Sequence, residues 1–126
     1  MDVQTRPDAE ATIEAHLAAV VNRDLDAYLS TVHPDVTVII TSGAMLRGKD
    51  AVADFHRTWF ADPNWTYLAT PVRTVAMDAT ASAVVEVTYR GGPDAEPTHF
   101  LMGLVFVREG NKWLLVHDQC TVRRTE

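Results

Sequence analysis

Three side chains in this 126-residue chain pair an ionisable group with a setting that should turn it inward: His16, His56 and Asp118. His16 stands among Ile13, Leu17 and Val20, and His56 stands beside Val52, Phe55 and Trp59, both at the spacing of a buried helical stripe. An imidazole in such a stripe is either a core histidine bonded to backbone or water, or a proton carrier aimed at a ligand. Asp118 lies in the apolar run WLLVHDQC. Desolvation there would raise its pKa and a nearby imidazolium would lower it, and either makes the carboxyl a candidate general base or hydrogen-bond acceptor. The structural alternative is an acid paired with a His or Arg that closes one end of the fold.

Strand register decides what Asp118 faces. If Glu109 pairs with Lys112 across the Gly110-Asn111 turn, Val105 falls opposite Val116, Gly103 opposite Asp118 and Leu101 opposite Cys120. One face would then carry His99, Leu101, Gly103, Val105, Val116, Asp118 and Cys120, with room left across from Asp118 by the missing side chain of Gly103. A slip of one residue would turn His117 and Gln119 inward instead. The candidate catalytic residues are thus Asp118, His16 and His56. The candidate ligand-binding residues are Phe55, Trp59, Val85, Val87, His99, Leu101, Gly103 and Val105, and Trp65 and Tyr67 are further aromatic candidates. His33, before Pro34, reads as a surface or capping residue, and Cys120 as a small buried hydrophobe with no adjacent base.

Other chemistries find little footing. No pair of histidines has the close spacing of a metal motif, so no metal is expected. There is no G-x-S-x-G, phosphate loop or dinucleotide fingerprint, and no cofactor is expected. A formal net charge of −6 and a pI of about 5.2 oppose binding to a nucleic-acid backbone. The single cysteine rules out an internal disulfide. No apolar run approaches the roughly 18 residues of a membrane span and no signal-peptide pattern opens the chain, so a cytoplasmic protein without membrane partners is the expectation.

The elements that must position these residues are set by periodicity and breakers. With 47% apolar and 22% charged residues, the chain should fold around one core as a single domain over residues 1–126. Thr5, Pro7 and Asp8 start a helix running to about Asn22, and Asp24 caps a shorter one whose buried side is Leu25, Tyr28, Leu29 and Val32, ended by Pro34. The β-branched run from Val36 to Thr41 reads as a strand closed at Ser42-Gly43, and a third helix runs from Gly48 to the Asp62-Pro63-Asn64 break. Four long strands come next, about Trp65 to Met77, Thr80 to Arg90, Thr98 to Arg108 and Lys112 to Arg123, joined as antiparallel hairpins. Helices before a meander predict an α+β fold. The runs FLMGLVFV and WLLVHDQC are apolar on both faces, so a second copy of the chain is expected to cover the outer sheet face, with Leu104 and Phe106 in that interface and Trp113 a further candidate for it.

In order and spacing, NRDLDAYLSTVHPDVTVI, then LRGKDAVADFH, then a hairpin ending in EGNKWLLVHDQ resemble the nuclear transport factor 2-like superfamily, in particular the SnoaL-like proteins that include polyketide cyclases and ketosteroid isomerase. The resemblance covers nearly the whole chain. It implies a cone-shaped α+β barrel, three N-terminal helices on a curved antiparallel or mixed sheet, with a deep pocket and frequently a homodimer through the convex face. It does not imply one reaction. The isomerase base would fall near Ile40, its buried acid near Gly103 and its tyrosine donor at His16, so the steroid-isomerase mechanism does not carry over. In the cyclase branch an acid on the last strand serves as base, and the nearest counterpart is Asp118. Two functions fit: a cofactor-free enzyme moving a proton on an apolar or polycyclic carbonyl metabolite, or a protein that binds or sequesters a small hydrophobic metabolite without turnover. A dimerisation module, its cavity filled by side chains, is a third.

Overall fold

A computed structural model describes residues 6–124; the start signal at Thr5 lies outside the described residues. Helices α1 (Pro7–Val21), α2 (Leu25–Leu29) and α3 (Gly48–Ala61) pack on one six-stranded sheet of β1 (Val32–Ile39), β2 (Met45–Arg47), β3 (Thr66–Ala76), β4 (Thr80–Arg90), β5 (Thr98–Glu109) and β6 (Lys112–Val122). The strand order is β2-β1-β6-β5-β4-β3, antiparallel except where β1 runs parallel to β6. The sheet is mixed, and it is curled around the helices without closing.

Local chemistry explains most boundaries. Pro7 opens α1, where its missing N–H costs nothing. The Asp24 carboxylate caps α2 by accepting from the Ala27 N–H at 3.1 Å. That helix stops at Leu29, earlier than its apolar spacing suggests, and Val32 belongs to β1. Pro34 therefore sits inside a strand. It is tolerated because the β1–β6 ladder is irregular between Val32 and Thr37, where no ladder bond is asked of it. The short β2, not foreseen from the sequence, forms because the chain reverses at Gly43, whose φ of 90° suits glycine, and returns along β1.

The β5–β6 hairpin corrects the expected register. Glu109 does pair with Lys112, and the ladder runs regularly to Phe106 opposite Leu115. Val116 is then an extra residue, a bulge, and pairing resumes with Val105 opposite His117, Leu104 opposite Asp118 and Gly103 opposite Gln119. A bulge reverses the inward parity of the strand beyond it. Trp113 and Leu115 point inward before the bulge, and Asp118 and Cys120 do so after it. On β5 the inward residues are Phe100, Met102, Leu104 and Phe106, all buried.

The expected sheet face therefore divides. Leu101, Gly103 and Val105 lie on the outer face beside His117 and Gln119, away from Asp118. Leu104 and Phe106, expected at a subunit interface, are core residues. Trp113 is also buried, its indole N–H donating to Asp8 at 2.9 Å and tying the start of α1 to β6. On β4, Val85 and Val87 pair with Met102 and Phe100 and face the helices.

Candidate functional site

A cavity of about 220 Å³ opens between the helices and the concave sheet face. Phe55 and Trp59 of α3, Tyr67 and Tyr89 of the sheet, and Phe100 and Met102 of β5 form much of its apolar wall. The polar groups are His16 of α1, Tyr28 of α2, His56 of α3, Asp118 and Cys120 of β6, and Thr41 just after β1, where Ile40 adds an apolar side chain. The structure thus brings the three expected ionisable groups to one cavity, together with Phe55 and Trp59. It does not bring the others. Val85 and Val87 are packed in the core behind the lining, Leu101, Gly103 and Val105 are on the outer face, and His99 is exposed with its Nδ1 3.1 Å from the Thr88 hydroxyl.

The hydrogen-bond geometry fixes both imidazole tautomers. The Thr31 hydroxyl has one proton and lies 2.7 Å from the Tyr28 carbonyl, which can only accept it. His16 Nδ1, also 2.7 Å from that hydroxyl, must therefore be the N–H donor. His56 Nδ1 donates to the Val52 carbonyl at 2.7 Å by the same logic. Each ring keeps its Nε2 lone pair as an acceptor. Burial disfavours the charged ring: His16 is pushed down to about 3, with a further contribution from His56, and His56 to about 4. Both are neutral at pH 7. Each ring packs against that of Tyr28, with centroids 4.7 Å away for His16 and 4.1 Å for His56.

Asp118 is 5% exposed. Its neighbours across the sheet are Val38 on β1 and Leu104 on β5. Its one polar contact among the described residues is the Cys120 thiol, 3.8 Å from Oδ1, and no salt bridge reaches it. Burial therefore pushes the carboxyl up to about 7, only partly offset by that thiol. The buried ion pair that would be its structural alternative is absent among the described residues. The Cys120 thiol is itself pushed up, by burial and by Asp118, and stays protonated. Among the described residues no group of three or more His, Cys, Asp and Glu could hold a metal ion.

Tyr28 is the functional candidate that sequence reasoning passed over. Its spacing marks it as the buried side of α2, and the signal missed is its hydroxyl: a phenol placed where a leucine would pack must find a partner. Tyr67 stands out in the sequence only for its ring, and its hydroxyl lies 3.6 Å from the Met102 sulfur.

Residues 13–116 match the SnoaL-like domain family, and the chain belongs to it. Solved structures named nuclear transport factor 2-like share its fold. A structure from Thiobacillus denitrificans, provisionally named a calcium/calmodulin-dependent protein kinase type II association domain, is similar at TM-score 0.79 and 23% identity, covering 98% of this chain and 100% of that one. A protein from Streptomyces avermitilis, provisionally named a dehydratase of the nuclear transport factor 2-like family, gives 0.80 at 16% identity over 94% and 96%. A ketosteroid isomerase-like protein from Erwinia carotovora atroseptica gives 0.76 at 15% over 92% and 94%. At these identities the likeness establishes the fold. A search among curated proteins finds no match.

The two histidines and Asp118 leave opposite marks on stability. Asp118 binds its proton more tightly folded than unfolded, so its contribution is fully present below about pH 4 and is lost as pH rises through 7, a penalty of about 4 kcal/mol when complete. The histidines bind theirs less tightly when folded, so their penalty grows as pH falls below 6.5. Asp118→Asn should therefore melt at or above the wild-type temperature at pH 8 and lose that advantage at pH 4. Thermal melts across this range check it, and marked destabilisation at pH 8 would contradict an unpaired carboxylate.

Proposed function

We propose that this protein is a cofactor-free enzyme that moves a proton on a small neutral carbonyl compound, with Asp118 as the base. The observation that carries this reading is a buried carboxyl at the end of an apolar cavity, without a cation among the lining residues and poised near neutral pH. Asp118 as carboxylate takes a proton from the carbon next to the carbonyl, and the electron pair of that C–H bond moves onto the carbonyl oxygen as an enolate. Asp118 then returns the proton to the same carbon or to a conjugated one, so a single group balances both halves of an isomerisation. The neutral histidines accept hydrogen bonds through Nε2 and orient ligand hydroxyls. A cavity of about 220 Å³ lies below the usual ligand-pocket range of about 300–1,000 Å³, which favours one or two rings over a larger polycyclic substrate.

Exchange of the α-protons of 2-tetralone in D2O, followed by NMR, tests the reading. The wild type should exceed the buffer rate, with the excess rising with pH through about 7 and then levelling, because only ionised Asp118 accepts a proton. Asp118→Asn should fall to the buffer rate. Binding without excess exchange would support the sequestering alternative.

The outer face of β4–β6 supports a homodimer as the accompanying proposal. Val84, Leu101 and Val105 flank Gly103 in a shallow apolar depression rimmed by Ser82, His117 and Gln119. Sedimentation at micromolar concentration should report two chains, and Val105→Asp should give one folded chain. A monomeric wild type would contradict it.

A further inference from the structure

Tyr28 is 1% exposed, lines the cavity, and carries the single buried side-chain oxygen or nitrogen among the described residues that lacks a hydrogen-bond partner. Leaving such a group unpaired costs about 1–3 kcal/mol, so a hydroxyl held this way calls for an acceptor. Its placement is well determined. The Asp24 cap sets the helix, the Tyr28 carbonyl accepts from Thr31, Thr31 accepts from His16, and the ring lies against His16 and His56. No acceptor among the described residues lies within hydrogen-bond reach of the phenol oxygen. It sits near Asp118, whose charge adds to burial in keeping it protonated, yet no bond joins the two.

The remaining lining atoms narrow what could accept from it. Both imidazoles donate through Nδ1 to protein oxygens, the Tyr67 hydroxyl faces the Met102 sulfur, and the Cys120 thiol faces Asp118. The lining contains no Lys or Arg. A carboxylate ligand would meet Asp118 with nothing to neutralise it.

We infer that the Tyr28 hydroxyl donates to the carbonyl oxygen of the ligand, and that the ligand is a neutral ketone or aldehyde of one or two rings and not a carboxylate. The substrate class rests on the proposed proton-transfer reading. The donor assignment rests on the cavity geometry. With the oxygen held at Tyr28, the adjacent carbon is presented to Asp118, and charge developing on the oxygen strengthens the same bond.

The test compares 2-tetralone labelled with carbon-13 at the carbonyl, its hydrocarbon counterpart tetralin, and 2-naphthoate. The wild type should bind the ketone about three- to tenfold more tightly than tetralin, should bind the carboxylate more weakly than either, and should lower the bound carbonyl stretching frequency in the infrared. Tyr28→Phe should melt no lower than wild type, erase the preference for ketone over tetralin, and return the stretch toward its value in an apolar solvent. An unshifted carbonyl in the wild type, equal affinity for ketone and hydrocarbon, failure to bind either, or tight naphthoate binding would overturn the assignment. So would a shift that survives in Tyr28→Phe or is lost only in Tyr67→Phe. Asp118→Asn separates the two readings: it should keep the carbonyl shift while losing α-proton exchange. A shift that depends on Tyr28, in a protein with no exchange above buffer, would retain the donor and reject the base.

Discussion

Val116 is one residue too many for the ladder between β5 and β6, and the orientation of every side chain after it depends on how that residue is accommodated. Strict alternation from the buried Leu115 would turn His117 and Gln119 inward and leave Asp118 on the outer face. The bulge absorbs the extra residue and restores Asp118 and Cys120 to the concave side. There Val38 of β1 and Leu104 of β5 flank the carboxyl from the two neighbouring strands. A bulge next to a site re-aims a side chain in this way.

The polar end of the cavity is built from groups that are individually uncomfortable. Two histidines are held neutral by burial, a tyrosine hydroxyl has no acceptor, and a carboxyl has only a thiol for company. The histidines are each bonded once through Nδ1, but the phenol and the carboxyl add nothing to the fold at neutral pH. Leucine or phenylalanine at the same positions would pack without such penalties. Stability is supplied elsewhere, by Phe106, Leu104 and Leu115 in the sheet, by Trp65 stacked on Trp59 with centroids 4.3 Å apart, and by Trp113 bonded to Asp8. Discomfort concentrated on one cavity wall, amid a well-packed core, is the pattern of a site maintained for what enters it.

Much of this is legible in the sequence alone. His16 and His56 announce themselves because helical periodicity fixes which face is buried, and a polar residue in that stripe stands out against hydrophobes. Asp118 falls on the expected side, but for an incomplete reason: an unbroken register also turns it inward, with Leu101, Gly103 and Val105 as companions. The bulge is not legible, since nothing in KWLLVHDQC distinguishes a regular strand from one with an extra residue, and its consequence is to exchange the inner and outer faces of β5. Leu104 and Phe106 move from the expected interface into the core for the same reason. Pro34 misleads in a simpler way, because a proline that usually ends a helix here sits at an irregularity inside a strand.

The proposed proton transfer turns on the ionisation of Asp118, and the most direct measurement is its own titration, observed by carbon-detected NMR of the side-chain carboxyl in the folded protein with Asp118→Asn to assign the signal. An inflection near pH 7 is the result predicted for a carboxyl desolvated between Val38 and Leu104 without a cation. An inflection at or below about 4, the range of a solvated or ion-paired aspartate, would contradict it.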